Sequence, residues 1–255
     1  MEIIKFKKGK SNIYELELSN GLKFKLFDDV IVKYNLLVNK RLDSKKFEEI
    51  ITYNDNLSAY YESIKRLNSK LRSEVEIREF LKKKNYNNEI IESTIDKLKK
   101  DGYLNRDIYI KSYISDAFRF NNDGPYKIKR NLNKLGFNDT EIDKYLTYDF
   151  KEKAIKLIDK KVKFNKKYSA YLLKEQINNY LINLGYPKEI YIDYLENIKV
   201  NNQDVIKKDV NSLIKKYGKK YQNNDLKYFI KDKLYKKGYN SDEISEVLLN
   251  ESLLW

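Results

Sequence analysis

GPYKIKRNLNKLGFNDTEIDKYL, from Gly124 to Leu146, carries a skeleton that recurs three more times along the chain. It reads Ile128, Leu132, Gly136, Phe137 and Leu146 here, and the other copies are Ile77, Leu81, Asn85, Tyr86, Ile95; Ile177, Leu181, Gly185, Tyr186, Leu195; and Ile230, Leu234, Gly238, Tyr239, Leu248. The internal spacing is identical in all four. A Gly four residues after a buried Leu and just before an aromatic is the pattern of a helix stop. The Gly takes the left-handed position after the helix, and the aromatic closes back on the Leu in a Schellman cap. Asn is the usual substitute for Gly there, as at Asn85.

A second helix starts at once. Asn138 with Glu141, and Asn240 with Glu243, have the spacing of an N-cap and its N3 carboxylate, and Pro187 suits a first helical position. Successive copies are displaced by 51, 49 and 53 residues, which leaves room for a third helix in each. Periods near 50 belong to stacked helical arrays, because one helix pair cannot bury its own apolar stripe. The expected fold is mostly α: tandem three-helix repeats in an elongated curved array, with a small N-terminal β-hairpin or sheet. The expected division is 1–71 for the hairpin plus helices, 72–121, 122–165 and 166–221 for three repeats, and 222–255 for a truncated fourth ending at Trp255.

Outside the repeats, apolar residues alternate in IYELELS and LKFKLF around Asn20-Gly21, the signal for a hairpin with a type I′ turn. A ribbon of this size is marginal alone and is expected to dock on the first helices or on a partner. The period then becomes helical. Val30, Ile31, Tyr34, Leu37 and Val38 form one stripe. Asp43 or Ser44 can cap a second helix containing Phe47, Ile50 and Ile51, and a third runs from about Leu57 to Leu71. Ser73 and Glu76 form a capping-box pair opening the first repeat, whose third helix follows Gly102 and is apolar over a wide arc. The third helix of repeat two, about Asp149 to Phe164, buries Phe150, Ala154, Leu157, Ile158 and Val162.

The chain has no Cys and no His, so Ser-His-Asp and Cys-His constellations and conventional zinc sites cannot be written. The closest glycines are 12 residues apart, which excludes phosphate-cradling glycine loops. Acid pairs such as Asp28-Asp29 and Asp242-Glu243 sit where helices begin and suit the helix dipole. Neither a catalytic residue, a metal nor a cofactor is expected. No apolar run reaches the length of a membrane span, and MEIIKFKKGK lacks a signal-peptide core, so a cytoplasmic monomer is expected.

The net charge of +14 is unevenly placed: Asp149 to Lys237 holds 22 lysines against 11 acids. On the helix after Asp149, Lys153, Lys156, Lys160 and Lys163 recur at helical steps opposite the apolar face, and Lys208, Lys215 and Lys219 do so in repeat three. Such stripes are either solvated faces or a surface that tracks an extended polyanion, single- or double-stranded DNA included. Lys166-Lys167-Tyr168 with Tyr171, and Tyr217 to Tyr221, interleave aromatic and basic residues as base-stacking surfaces do, although most tyrosines are expected in the core.

Three stretches carry a family likeness: Arg72-Ser73-Glu74-Val75-Glu76-Ile77 with Leu81; Gly102-Tyr103-Leu104-Asn105 with Asp107 and Tyr109; and Gly124-Pro125 with Ile128, Leu132 and Gly136. With these, the chain resembles the bacterial regulatory protein RecX, over about residues 58–255. The hairpin start and fourth repeat look like the longer Gram-positive form. It departs from the family pattern at Arg106, where an acid is usual, and at Asn85. The resemblance implies a non-enzymatic modulator of the RecA recombinase filament in DNA repair, recombination and the SOS response, with Arg72, Tyr103, Asp107, Gly124, Lys127, Lys129 and Arg130 at motif positions on the partner-facing surface. Sequence-tolerant nucleic-acid binding without RecA, and a scaffold for another protein, remain the alternatives.

Overall fold

The structure, a computed structural model, describes residues 1–9, 12–221 and 223–250. Gln222 and Trp255, the first and last residues of the expected fourth repeat, lie outside them. The described chain is mostly helical and begins with an antiparallel sheet of order β1 (Ile3–Lys8), β2 (Ile13–Leu18), β3 (Lys23–Phe27). The helices are α1 (Asp28–Lys33), α2 (Ser44–Ser69), α3 (Glu74–Lys83), α4 (Asn88–Lys100), α5 (Arg106–Asp116, continued by a π-helical turn Ala117–Asn121) and α6 (Pro125–Lys134). They continue as α7 (Asp139–Asp143), α8 (Phe150–Lys163), α9 (Ala170–Asn183), α10 (Ile192–Asn197), α11 (Gln203–Tyr217), α12 (Asn223–Lys236) and α13 (Ser241–Asn250). None of the helices among the described residues is long and apolar enough to cross a membrane.

The chain forms two compact units, Met1–Ser112 with Lys134–Phe137, and Tyr113–Asn133 with Asn138 onward. In the first, the sheet turns Leu16, Leu18 and Leu26 onto Val30, Ile31, Leu36, Ile50 and Leu57, so the ribbon is stabilised by docking on α1 and α2. The hairpin turn differs from the expected type. Asn20 does not take positive φ, Gly21 does, and its amide donates to the Leu18 carbonyl at 2.9 Å. The loop is therefore three residues long with Gly in the left-handed position. The expected stripe on Leu37 and Val38 also fails: Asn35 turns left-handed and ends α1, exposing both residues and burying Leu36.

Two short helices were expected where α2 runs for 26 residues. The polar run Tyr53-Asn54-Asp55-Asn56 between the two expected helices contains neither Gly nor Pro. Asn56 bonds back to the Thr52 carbonyl at 2.8 Å, and the helix continues. Asp43 is the N-cap, accepting from the Lys46 amide.

A second cluster in the first unit packs Ile77 and Leu81 of α3 on Ile91, Ile95 and Leu98 of α4. The Ser73–Glu76 capping box is present. Burial pushes the Glu76 carboxyl up, but hydrogen bonds from the Ser73 amide, Arg72 and Tyr109 outweigh it and hold the pKa below its ordinary value. In the second unit, α11, α12 and α13 share a core of Ile206, Val210, Ile230, Leu234, Tyr239 and Ile244.

The repeated corners have one geometry. Asn85, Gly136, Gly185 and Gly238 all have φ between 64° and 84°. At three of them the paired Schellman bonds are present: Tyr86 to Leu81, Tyr186 to Leu181 and Tyr239 to Leu234 on the long arm, at 3.0–3.2 Å. Asn138 and Asn240 then cap the next helix. Pro187 departs from expectation: its ψ of 135° places it outside the helix, ahead of a 3₁₀ turn Lys188–Ile190.

Each later corner is clamped by the start of an earlier helix. In the first unit, Arg106 donates to the Gly136 carbonyl at 2.8 Å and lies over the Phe137 ring, while a Cβ on Gly136 would meet Val75 of α3. In the second, the Gly124 amide donates to Leu184 at 2.7 Å and the Tyr126 amide to Gly185 at 3.1 Å, joining the start of α6 to the Gly185 corner. The Ser169 hydroxyl, at the start of α9, donates to Lys237 at 2.6 Å beside Gly238. Phe137, Tyr186 and Tyr239 are buried there, each worth about 1.5–3 kcal/mol of apolar transfer.

Candidate polyanion-binding surface

Among the described residues there is no group of His, Cys, Asp or Glu able to hold a metal. The surface chemistry is carried by cations, and its expected members separate into those tied within the fold and those that reach solvent.

Of the motif positions in the first unit, Arg72 is half-buried and pairs with Glu76 at 3.0 Å. Its guanidinium braces the capping box that starts α3. Tyr103 is 43% exposed after the left-handed Gly102, and Asp107 is exposed in the first turn of α5. Arg106 supports the Gly136 corner and also reaches Glu74.

In the second unit, Gly124 is buried against Gly185 and offers a partner no surface. Lys127 pairs with the buried Asp123 at 2.7 Å, and Lys129 with Asp143 at 2.5 Å. Arg130 is exposed. Spacing alone could not separate these roles, because a family motif marks a junction that must be packed as readily as a surface that must be read.

The lysine stripe of α8 is less uniform than its periodicity implies. Lys153 is half-buried with its ammonium 4.4 Å from the Phe118 ring centroid, and desolvation lowers its pKa against the opposing pull of Asp123. Lys156 is exposed but pairs with Glu152 at 2.5 Å. Lys160 and Lys163 are exposed, as are Lys208 and Lys215 on α11. Lys219 is exposed too, but it lies beyond the end of α11 at Tyr217, so it does not continue that helical stripe.

A cleft of about 750 Å³ opens between α8 and α9. Lys160 and Lys161 line it from α8, and Lys166 and Lys167 from the following loop. Asn165 shapes that loop: its side-chain oxygen accepts from the Lys167 and Tyr168 amides, and its side-chain nitrogen donates to the Tyr168 carbonyl at 2.7 Å. Phe164 and Tyr180 contribute ring surface, and the Lys161 ammonium stands 4.0 Å from the Tyr180 centroid. Carboxylates adjacent in sequence are directed elsewhere: Asp159 accepts from the Tyr194 hydroxyl and Glu175 from the Tyr171 hydroxyl. Of this site, sequence reasoning placed Lys160 in the stripe and Lys166-Lys167-Tyr168 in a mixed run. It missed Lys161, Phe164 and Tyr180, and the signal was the run Lys160-Lys161-Val162-Lys163-Phe164-Asn165-Lys166-Lys167.

Comparison with known proteins gives consistent relatives. Residues 59–98 match the family described as RecX, first three-helix domain. The regulatory protein RecX of Streptococcus sanguinis is 30% identical over 97% of this chain and 98% of its own length. A crystal structure of regulatory protein RecX superposes with a TM-score of 0.63, at 22% identity, over 77% of this chain and 99% of the other, a likeness of fold. The crystal structure of RecX from Lactobacillus salivarius aligns with a TM-score of 0.51 at 25% identity, over 57% of this chain and 99% of that one.

Proposed function

Because this chain belongs to the RecX family of regulatory proteins, we propose that it is a non-enzymatic regulator that binds the RecA recombinase filament in the cytoplasm and inhibits or modulates its ATPase and strand-exchange activity in recombination and the SOS response. The observation that carries this reading is a likeness extending over 97% of this chain and 98% of the relative. Two features support it. The sequence has no His or Cys from which to build common catalytic centres, and helices joined by interlocked corners make a rigid support for an exposed basic surface.

The mechanism is steric and electrostatic. A chain lying across neighbouring RecA protomers bridges them and opposes the movements that hydrolysis and strand exchange require. Tyr103, Asp107 and Arg130 are the exposed motif residues that contact the partner, while Arg72, Gly124, Lys127 and Lys129 hold the surface in shape. Co-sedimentation with RecA–DNA filaments and a RecA ATPase titration test it. The protein pellets with the filament and turnover changes; unchanged turnover at saturating protein rejects the reading.

One observation favours a second reading, sequence-tolerant nucleic-acid binding without RecA. Lys160, Lys163, Lys208 and Lys215 are exposed and have no ion-pair partner among the described residues. Binding of this kind weakens steeply with salt. A salt-insensitive interaction with DNA, or none, removes it.

A further inference from the structure

We infer that the cleft between α8 and α9 binds a nucleotide unit, its phosphate held by Lys160, Lys161, Lys166 and Lys167 and its base laid against Phe164 and the neighbouring tyrosine rings. The inference does not depend on RecA as a partner.

The anionic half of the ligand follows from charge. Four lysines converge on one concavity whose lining contains no carboxylate, and none of the four has an ion-pair partner among the described residues. Elsewhere in the second unit lysines do find acids, as Lys127, Lys129, Lys156 and Lys237 show. Like charges left facing each other repel, so a bound anion relieves an electrostatic cost that the fold leaves in place.

The aromatic half follows from Phe164. Its ring is 65% exposed at the end of α8, between lysines, where it gains little from burial in the free protein. A base stacked on it covers both surfaces, as bases do on exposed rings that bind single strands. Tyr168 and Tyr180 extend the ring surface, and Asn122, Gln176, Asn179 and Asn183 present neutral donors and acceptors suited to base edges. The volume, about 750 Å³, lies within the range of small-ligand sites. The Asn165 turn fixes the backbone that carries Lys166 and Lys167 before any ligand arrives, which lowers the ordering cost of binding.

A free nucleotide and one residue of a single strand share this chemistry, whereas a duplex keeps its base faces stacked on each other. An acidic peptide would satisfy the lysines but make no use of the rings.

Fluorescence anisotropy with the full chain tests the proposal. The probes are a fluorescent ATP analogue, a labelled eight-thymidine strand and a labelled oligoglutamate peptide. The variants are F164A, K161Q/K167Q and, as a control away from the cleft, K65Q/K70Q on α2 and at its end. All replace exposed side chains, and circular dichroism verifies their folding. At least one nucleotide probe binds, F164A weakens it about ten-fold, and K161Q/K167Q lowers the salt slope of strand binding by about 1.4 while the control leaves both unchanged. Binding of the ATP analogue identifies a free nucleotide as sufficient; binding of the strand alone identifies a polymer residue. The proposal is overturned if neither nucleotide probe binds, if both cleft variants bind as the parent does, or if oligoglutamate binds as tightly and F164A has no effect.

Discussion

Gly185→Ala tests whether the corners are clamped by close packing or merely shaped by local conformation. Gly185 has φ of 81°, and a Cβ there would lie 2.5 Å from the Lys127 amide nitrogen and 2.7 Å from the Lys127 Cβ. Gly102 has nearly the same φ, 79°, but an added Cβ meets nothing within 4 Å. The pair therefore separates two costs. Left-handed backbone costs an L-residue about 1–2 kcal/mol, and this is the whole expectation for Gly102→Ala. Gly185→Ala adds about 1–3 kcal/mol of overpacking against backbone that cannot rotate away. For a chain of this size each kcal/mol moves Tm by about 2–4 °C. Thermal melts followed by circular dichroism should therefore place G185A clearly below G102A. Gly124→Ala isolates the packing term, since its Cβ would sit 2.5 Å from the Gly185 carbonyl without a positive-φ penalty. G124A and G185A strain the same junction, so their double variant should lose less than the sum. A G185A protein no less stable than G102A would refute the clamp.

Ser73→Ala removes the side-chain acceptor of the capping box and should cost about 0.5–2 kcal/mol in urea denaturation, with no loss if the cap is dispensable. Tyr186→Phe should leave stability unchanged or raise it by about 1 kcal/mol, because the Tyr186 hydroxyl is buried without a hydrogen-bond partner among the described residues; a loss above that size would show that the hydroxyl is bonded. Alkaline pH should destabilise the fold through its tyrosines. Hydrogen bonding to Asp29, with burial, pushes Tyr61 up to about 12, and burial with the Asp209 and Asp101 hydrogen bonds raises Tyr239 and Tyr60. In the unfolded chain tyrosines ionise near pH ~10, so their contribution is complete below that pH and is lost as pH rises toward the folded values. Ultraviolet titration should show a late-ionising subset whose ionisation coincides with unfolding; one uniform transition near pH ~10 in the folded protein would contradict it.

The corners were legible because one residue in left-handed backbone, a Leu before it and an aromatic after it leave a local mark in the sequence. The clamps were not. Gly124 meeting Gly185, or Ser169 meeting Lys237, joins residues tens of positions apart, and no periodicity records such contacts. The same limit explains the surface. Helical spacing placed Lys153, Lys156, Lys160 and Lys163 on one stripe, but it could not show that Phe118 draws Lys153 inward or that Glu152 pairs with Lys156. The cleft depends on two helices and a loop fixed by Asn165, so its rings and lysines come together only in the folded chain. The long α2 was misread for the opposite reason. Two apolar stripes, one with Phe47, Ile50 and Ile51 and one from about Leu57, read as two helices where neither Gly nor Pro interrupts the backbone.

The proposed function places this chain along RecA assembled on DNA. Electron microscopy of RecA–DNA filaments mixed with the protein checks that placement. Regular added density, contacting successive protomers and diminished when Tyr103, Asp107 and Arg130 are replaced together, is the predicted result; filaments identical with and without saturating protein would contradict it.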